Sequence, residues 1–173
     1  MLPVRDYACD AAQLGFHHLG TYHGGKFAID RAFRRLPAIY VWMIEADGAE
    51  VPVRVGQTRQ LAGRFSSYNG WLRGRQWPGE RRNAREQEKA RLTKLRLGAA
   101  ARIVGFSVPD EEVRLTIESG LLQLWRPALD LNFELPDSWG RASVRDWSAA
   151  YDAIDRARDR RSGADAFAST NGP

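Results

Sequence analysis

Residues Ala38-Ile39-Tyr40-Val41-Trp42-Met43-Ile44-Glu45, then Ala46-Asp47-Gly48, then Val51-Pro52-Val53-Arg54-Val55, read as two strands and the turn between them. The first run is apolar, β-branched and aromatic, the composition that suits a pleated, buried surface. Asp47-Gly48 supplies turn chemistry, since both residue types tolerate a positive φ. The simplest arrangement is an antiparallel pair.

Downstream, Gly56-Gln57-Thr58 leads into a helix. Thr58 suits an N-cap, and Leu61, Phe65 and Tyr68 recur at helical spacing until Asn69-Gly70. The piece from Trp71 to Arg82 reads as an exposed, arginine-rich loop. Strong helix formers follow from Asn83 to Leu97 with a thin apolar stripe at Leu92 and Leu95. Arg102 to Val108 is the third predicted strand. Asp110 to Leu124 is a further helix, with Val113, Ile117, Leu121 and Leu124 on one face until Arg126-Pro127 ends it.

Upstream, residues 5–36 read as a helical preamble broken by a Gly-containing loop at Thr21 to Gly25, with Ile29, Phe33 and Leu36 resuming the period. At the far end Val144 to Arg161 is amphipathic, and Ser162 to Pro173 has the small-residue composition of a frayed tail. The expected fold class is α+β: a small three-stranded antiparallel sheet flanked by helices, with N- and C-terminal helical extensions. Residues 1–36 form the first extension, 37–132 the core with its basic loop and helix at 70–102, and 133–173 the C-terminal helix and tail.

A length of 173 residues suits one core. No long apolar run or signal segment is visible, so a cytoplasmic protein is expected. Cys9 is the single cysteine, which excludes an internal disulfide and a cysteine-rich zinc site. His17, His18 and His23 lie near it in sequence, at a spacing that matches no usual zinc pattern. The formal charge is +5, and between Gly70 and Arg102 ten cations stand against three carboxylates. Such a stretch suits a polyanion, because each neutralised phosphate releases counterions. A solvated basic helix face has the same composition.

The order strand, strand, helix, helix, strand, helix also carries a series of marked residues: Ala38-Ile39-Tyr40, Arg54-Val55-Gly56 with Gln57-Thr58, Leu61, Arg64, Tyr68, Glu118, and Pro127-Ala128-Leu129-Asp130-Leu131-Asn132. In these the chain resembles the GIY-YIG endonuclease family over about residues 37–132. The three-residue signatures alone are modest evidence. The ordered series after them is more specific: an arginine ten residues past Arg54, an aromatic one turn on, a distant helical glutamate and a Pro-x-Leu-x-x-Asn ending.

The resemblance implies a metal-dependent DNA endonuclease with Tyr40, Arg64, Tyr68, Glu118, Arg54 and Asn132 in its catalytic set. Tyr40 helps to activate the attacking water, and because a phenol with a pKa near 10 is a poor base at neutral pH, cations or a metal-bound water must assist it. Arg64 and Tyr68, four apart, share a helix face. A guanidinium there grips phosphate oxygens and offsets the charge of the transition state, while the Tyr68 hydroxyl holds nucleophile or phosphate. Glu118, set against the apolar stripe of its helix, needs a cation; the resemblance makes it the ligand of a single Mg²⁺ (or Mn²⁺). Asn132 supports the site by hydrogen bonds. Blander roles fit the same residues: a core tyrosine at Tyr40, a surface arginine beside a half-buried Tyr68, a salt bridge at Glu118, and a turn closure at Asn132.

Ala38 takes the place of the first motif glycine, a minor change that a strand can absorb, and two further departures from the family pattern stand out. Arg54 takes the place of the second tyrosine, where it either lowers the pKa of Tyr40 or binds phosphate, and Gln57 stands where a basic residue is common. A catalytically inactive DNA-binding module is therefore the competing reading. Residues for DNA contact are Gln57, Arg59, Trp71, Arg73, Arg75, Arg81, Arg82, Arg85 and Lys89, with Trp71 and Trp77 available to stack on or wedge between bases, or simply to anchor their own loop. Duplex DNA is the favoured partner and single strands the second. A restriction, defence or repair role fits the chain length, and a two-strand cut is easiest for a homodimer.

Overall fold

The structure, a computed structural model, describes residues 7–75 and 80–132. Within them the elements run α1 (Tyr7–Gln13), β1 (His17–His23), β2 (Lys26–Ile29), a 3-10 turn (Arg31–Phe33), β3 (Ala38–Ala46), β4 (Ala49–Thr58), α2 (Leu61–Leu72), α3 (Glu80–Leu97), β5 (Ala100–Ser107), α4 (Glu111–Leu124) and a second 3-10 turn (Arg126–Ala128). The class is α+β. All neighbouring strands are antiparallel, in the order β2-β1-β5-β3-β4.

The sheet therefore has five strands and not the expected three, because residues 17–29 form a hairpin and not a helical preamble. His23 and Lys26 face each other across Gly24 and Gly25, whose φ angles of 56° and 83° suit a two-residue hairpin turn. Tyr22, Phe27 and Ile29 are buried while their neighbours are exposed, the period of two that marks a half-buried sheet, and Leu19 and Gly20 are both buried where the register of β1 on β5 shifts. Ile29, Phe33 and Leu36 fall at helical spacing across a strand end, a turn and a loop, so that spacing has no single element behind it.

β3 lies between β4 and β5 and is covered on both faces, which explains why its sequence is continuously apolar and not alternating. Ile39, Val41 and Met43 pack with Val55, Phe106, Ile117, Leu121 and Trp125 on the side of α4. Tyr40, Trp42 and Ile44 pack with Phe27, Val53, Leu61, Phe65 and Ile103 on the side of α2. The edge strands are each closed by an asparagine. Asn69 accepts from Phe27 N at 2.8 Å and donates to Phe27 O at 2.9 Å on β2, while Asn132 accepts from Val55 N at 2.9 Å and donates to Val55 O at 3.0 Å on β4. A side-chain amide presents the same donor and acceptor as a peptide, so it satisfies an edge without extending the sheet.

Several boundaries differ from expectation. Thr58 ends β4, and its hydroxyl exchanges bonds with Gln60 N and O, so it shapes the turn; Gln60 is the N-cap of α2, without a side-chain cap bond. α2 passes through Asn69-Gly70 to Leu72, placing Trp71 in a helix and not in a loop. Asp110 caps α4 through Val113 N at 3.1 Å, with Glu111 and Glu112 in the first turn. Trp77, the predicted helix at 144–161 and the tail lie outside the described residues.

Candidate active site

Tyr40 and Gly56 are partners across β3 and β4. The Tyr40 ring lies over that glycine, where an added Cβ would sit 2.4 Å from the phenol oxygen. Residue 56 must therefore lack a side chain for the phenol to reach its place. Phe65 from α2 meets the Tyr40 ring edge-on at 5.0 Å, and Tyr68, one turn above Arg64, holds the Tyr40 hydroxyl by a hydrogen bond of 2.6 Å. Tyr40 is 1% exposed and Tyr68 half-buried, so the second phenol is the link between the first and solvent.

Arg54 projects to the same face of the sheet. Its guanidinium carbon lies 5.1 Å from the Trp42 ring centroid and 5.4 Å from that of Tyr68, and Nη1 donates to Leu131 O at 2.7 Å. Its Nε is buried without a partner. Burial works to lower the Arg54 pKa, but the phenols of Tyr68 and Tyr40 together with Glu118 more than offset it, and the group stays charged.

Glu118 comes from α4, on the other side of the sheet, and is half-buried where β4 ends. Burial pushes its carboxyl above the ordinary value; Arg54, Arg64 and the backbone N–H of Gln57 pull the other way without cancelling the shift. Arg64 is exposed on α2 and close enough to act on both Glu118 and Tyr40. The structure thus brings Tyr40, Arg54, Arg64, Tyr68 and Glu118 into one electrostatic neighbourhood at the β4 edge. Two layers meet there, α2 supplying Arg64 and Tyr68 and α4 the carboxylate.

The expected lowering of the Tyr40 pKa by Arg54 is outweighed. Burial and Tyr68 push the phenol well above its usual range, while Arg54 and Arg64 reduce that shift only in part. Asn132 does not enter the cluster as a reacting group; it fixes β4 and the chain that carries Leu131 O to Arg54.

The residues assigned to DNA contact divide. Gln57 is turned toward α4, its Oε1 accepting from Arg114 Nε at 3.2 Å, and is not presented outward. Arg59 pairs with Glu111 and Lys89 with Glu86 at 3.4 Å. Trp71 is half-buried against the α2 core, 6.5 Å from the Tyr68 ring, with its Nε1 buried and unpartnered, the environment of an anchor and not of a wedge. Arg73 and Arg75 are exposed. Arg81, Arg82 and Arg85 belong to α3, but their side chains lie outside the description. The basic stretch is less free than its composition implies, since Arg91, Arg96 and Arg102 pair with Glu88, Asp130 and Glu50.

Arg114 was not foreseen. It is 2% exposed, with Nη1 donating to Val108 O at 2.8 Å and Pro109 O at 2.7 Å while Nε holds Gln57. The same Gln57 donates its backbone N–H to Glu118, four residues after Arg114 on α4. The sequence signal was the i, i+4 pairing of a cation and a carboxylate on an amphipathic helix.

Among the described residues no group of three or more His, Cys, Asp or Glu side chains forms a metal cluster. His17 instead stacks on Phe33 at 5.2 Å, and the thiol of exposed Cys9 accepts from Gln13. Within this cluster Glu118 is the residue with the donor chemistry for a hard divalent ion, a carboxylate whose burial disfavours its bare charge. An ion of the Mg²⁺ kind, which keeps several waters and takes one or two carboxylates together with substrate phosphate, fits that supply. No helix among the described residues is long and apolar enough to cross a membrane. Set against known proteins, the chain matches no family model, no curated protein and no solved structure.

Proposed function

We propose that this protein is a metal-dependent endonuclease of the GIY-YIG type that hydrolyses phosphodiester bonds in DNA, in a cytoplasmic restriction, defence or repair setting. The observation that carries the reading is the meeting of Tyr40, Tyr68, Arg54, Arg64 and Glu118 at the β4 edge, a hydrogen-bonded tyrosine pair and a carboxylate within electrostatic reach of two guanidinium groups. Phosphodiester hydrolysis asks for such a set: something to orient water, fixed positive charge for the pentacovalent phosphate, and a hard-ion ligand.

In this reading Arg64, exposed on α2, grips the non-bridging oxygens of the scissile phosphate, and Arg54 offsets developing charge from below. The buried Tyr40 phenol holds its proton in the free protein, so its resting work is to orient, with Tyr68 relaying the hydrogen bond toward solvent. An ion of the Mg²⁺ or Mn²⁺ kind on Glu118 would supply Lewis-acid stabilisation and extra positive charge that favours the phenolate form of Tyr40, the only form of that side chain able to take a proton from water. Duplex DNA is the preferred substrate, and a homodimer would place two sites on two strands.

The second reading is a DNA-binding module without chemistry. It draws on Arg54 in place of a second tyrosine and on the upward shift of the Tyr40 pKa. One experiment separates them: incubation with duplex, single-stranded and branched DNA, methylated and unmethylated, under Mg²⁺ or Mn²⁺. The nuclease reading expects scission that Glu118→Ala and Arg64→Ala reduce by at least about 100-fold, the scale of losing one transition-state group. Binding without scission under every ion would favour the module; wild-type cutting by Glu118→Ala would reject the metal role.

A further inference from the structure

The loop between β2 and β3 carries Arg31, Arg34 and Arg35, and it is built as a platform. Asp30 N donates to Leu19 O at 2.9 Å, Phe33 stacks on His17, and Arg34 Nε donates to Ile29 O at 3.1 Å. The loop is also bound to the start of α2, where Leu61 N donates to Leu36 O at 3.3 Å and Ala62 N to Arg34 O at 2.8 Å. All three arginines are exposed, and among the described residues none of them forms an ion pair.

Their position runs against local electrostatics. The N-terminal end of a helix carries partial positive charge and favours anions. α2 has no acidic residue in its first turn; the backbone carbonyls of Leu36 and Arg34 accept from its Leu61 and Ala62 N–H groups, which brings the arginine-bearing loop beside the helix that carries Arg64. The nearest compensation is the Glu118 carboxylate, which acts on Arg64, while Arg31 and Arg35 have no ion-pair partner among the described residues. Exposed cations without an ion-pair partner, set on an ordered loop beside a helix end that itself favours negative charge, suit an anionic partner.

The loop also sits at the end of the sheet that bears the candidate site. Leu36 precedes β3 by two residues, Ala38 pairs with Thr58 and Ser107, and Ile39 faces Gln57, whose N–H reaches Glu118. An anion lying across Arg31 and Arg35 and onward to Arg64 would be extended and repetitively charged. We propose that the Arg31–Arg35 platform is a docking surface for the nucleic-acid backbone flanking the phosphate held at Arg64. The inference rests on the nuclease reading for its partner and adds to it a face outside the Trp71–Lys89 segment. Rigid display matters, because arginines on an ordered turn lose less freedom on binding than those of a floppy loop.

The test is the salt dependence of binding to a 20-base-pair duplex in EDTA, comparing wild type with the double variant Arg31→Ala, Arg35→Ala and, as control, Arg102→Ala, whose cation is already paired with Glu50. Loss of two phosphate contacts should reduce the slope of log K against log salt by about 1.8, at roughly 0.9 per phosphate. Melting temperatures of the double variant should stay within a degree or so of wild type, since both side chains are exposed. A double variant with wild-type slope and affinity overturns the platform while leaving the nuclease reading intact. A wild-type protein that binds no duplex at low salt overturns both.

Discussion

Glu118 is held where its charge is unwelcome, and that has a measurable consequence. A carboxyl whose folded pKa lies above its ordinary value near 4.5 is favoured by the fold in its protonated form. Its contribution is therefore most favourable below that ordinary value and is lost as pH climbs through the raised folded value. At neutral pH the ionised group is a liability that an isosteric amide would remove. Glu118→Gln should stabilise the protein at pH 7 by ~1 kcal/mol, the scale of relieving a strained functional residue, and the gain should shrink by pH 4. Thermal melts at the two pH values check this; a lower melting temperature for the variant at pH 7 would count against it. The same substitution should abolish scission, so stability and activity move in opposite directions.

Gly56 shows the same coupling in steric form. A methyl group at this position would sit 2.4 Å from the Tyr40 oxygen and 2.5 Å from the ring carbon that bears it. Both atoms belong to a ring hemmed in by Phe65, with no flexible end to yield. Gly56→Ala should cost about 1–3 kcal/mol, the usual scale of overpacking, and should break the Tyr40–Tyr68 bond. Urea denaturation measures the first effect and ultraviolet titration of the phenols the second. A variant as stable as wild type would mean that the Tyr40 ring is not seated over this glycine.

At the scale of elements, the helix α4 is tied to the end of β4 by Arg114. Three acceptors, Val108 O, Pro109 O and Gln57 Oε1, depend on one buried guanidinium. Arg114→Met fills much of the volume but leaves those oxygens without a donor, at about 1–3 kcal/mol for each that stays dry. The variant should lower the urea midpoint strongly, and Arg114→Lys should recover only part, because a single ammonium cannot reproduce the forked geometry. If the methionine variant is as stable as wild type, Arg114 is not the tie between α4 and β4. Legibility follows the same physics. The β3–β4 hairpin could be read because β-branched residues flank an Asp-Gly turn, and α4 because Asp110 caps an unbroken apolar stripe. The β1–β2 hairpin is masked in the sequence although Gly24-Gly25 is itself a hairpin turn, since histidines, Gly20 and Thr21 give β1 little strand character and Ile29 and Phe33 mimic a helical period. Of the site, Tyr40, Arg54, Arg64, Tyr68 and Glu118 were legible as types in order. The turn of Gln57 toward α4 is not legible, and for Trp71 the sequence leaves stacking and anchoring both open, because each depends on which face of an element is covered.

For the whole molecule, the decisive feature is that one strand belongs to two cores. β3 sends Ile39, Val41 and Met43 to the α4 side and Tyr40, Trp42 and Ile44 to the α2 side, so neither apolar cluster can be lost without exposing the other's wall. The hairpin β1–β2 is joined to the same body through β5, which pairs with β1 on one side and β3 on the other. Such sharing predicts a single cooperative transition for the described body, with no stage in which one face melts first. Ile39→Ala, on the α4 side, and Ile103→Ala, on the α2 side, each delete a residue with no exposed surface and should each cost about 2–5 kcal/mol. Both should shift the urea midpoint while leaving the slope m unchanged, because the surface exposed on unfolding stays the same. Intrinsic tryptophan fluorescence follows both sides together, Trp42 reporting on the α2 core and Trp125 on the α4 core, and far-ultraviolet circular dichroism gives a second probe. Coincident curves are expected for wild type and both variants. A transition that splits for Ile103→Ala and not for Ile39→Ala would show that the α2 layer, which carries Arg64 and Tyr68, opens independently of the layer carrying Glu118, and the site would then be assembled only when the two faces close together.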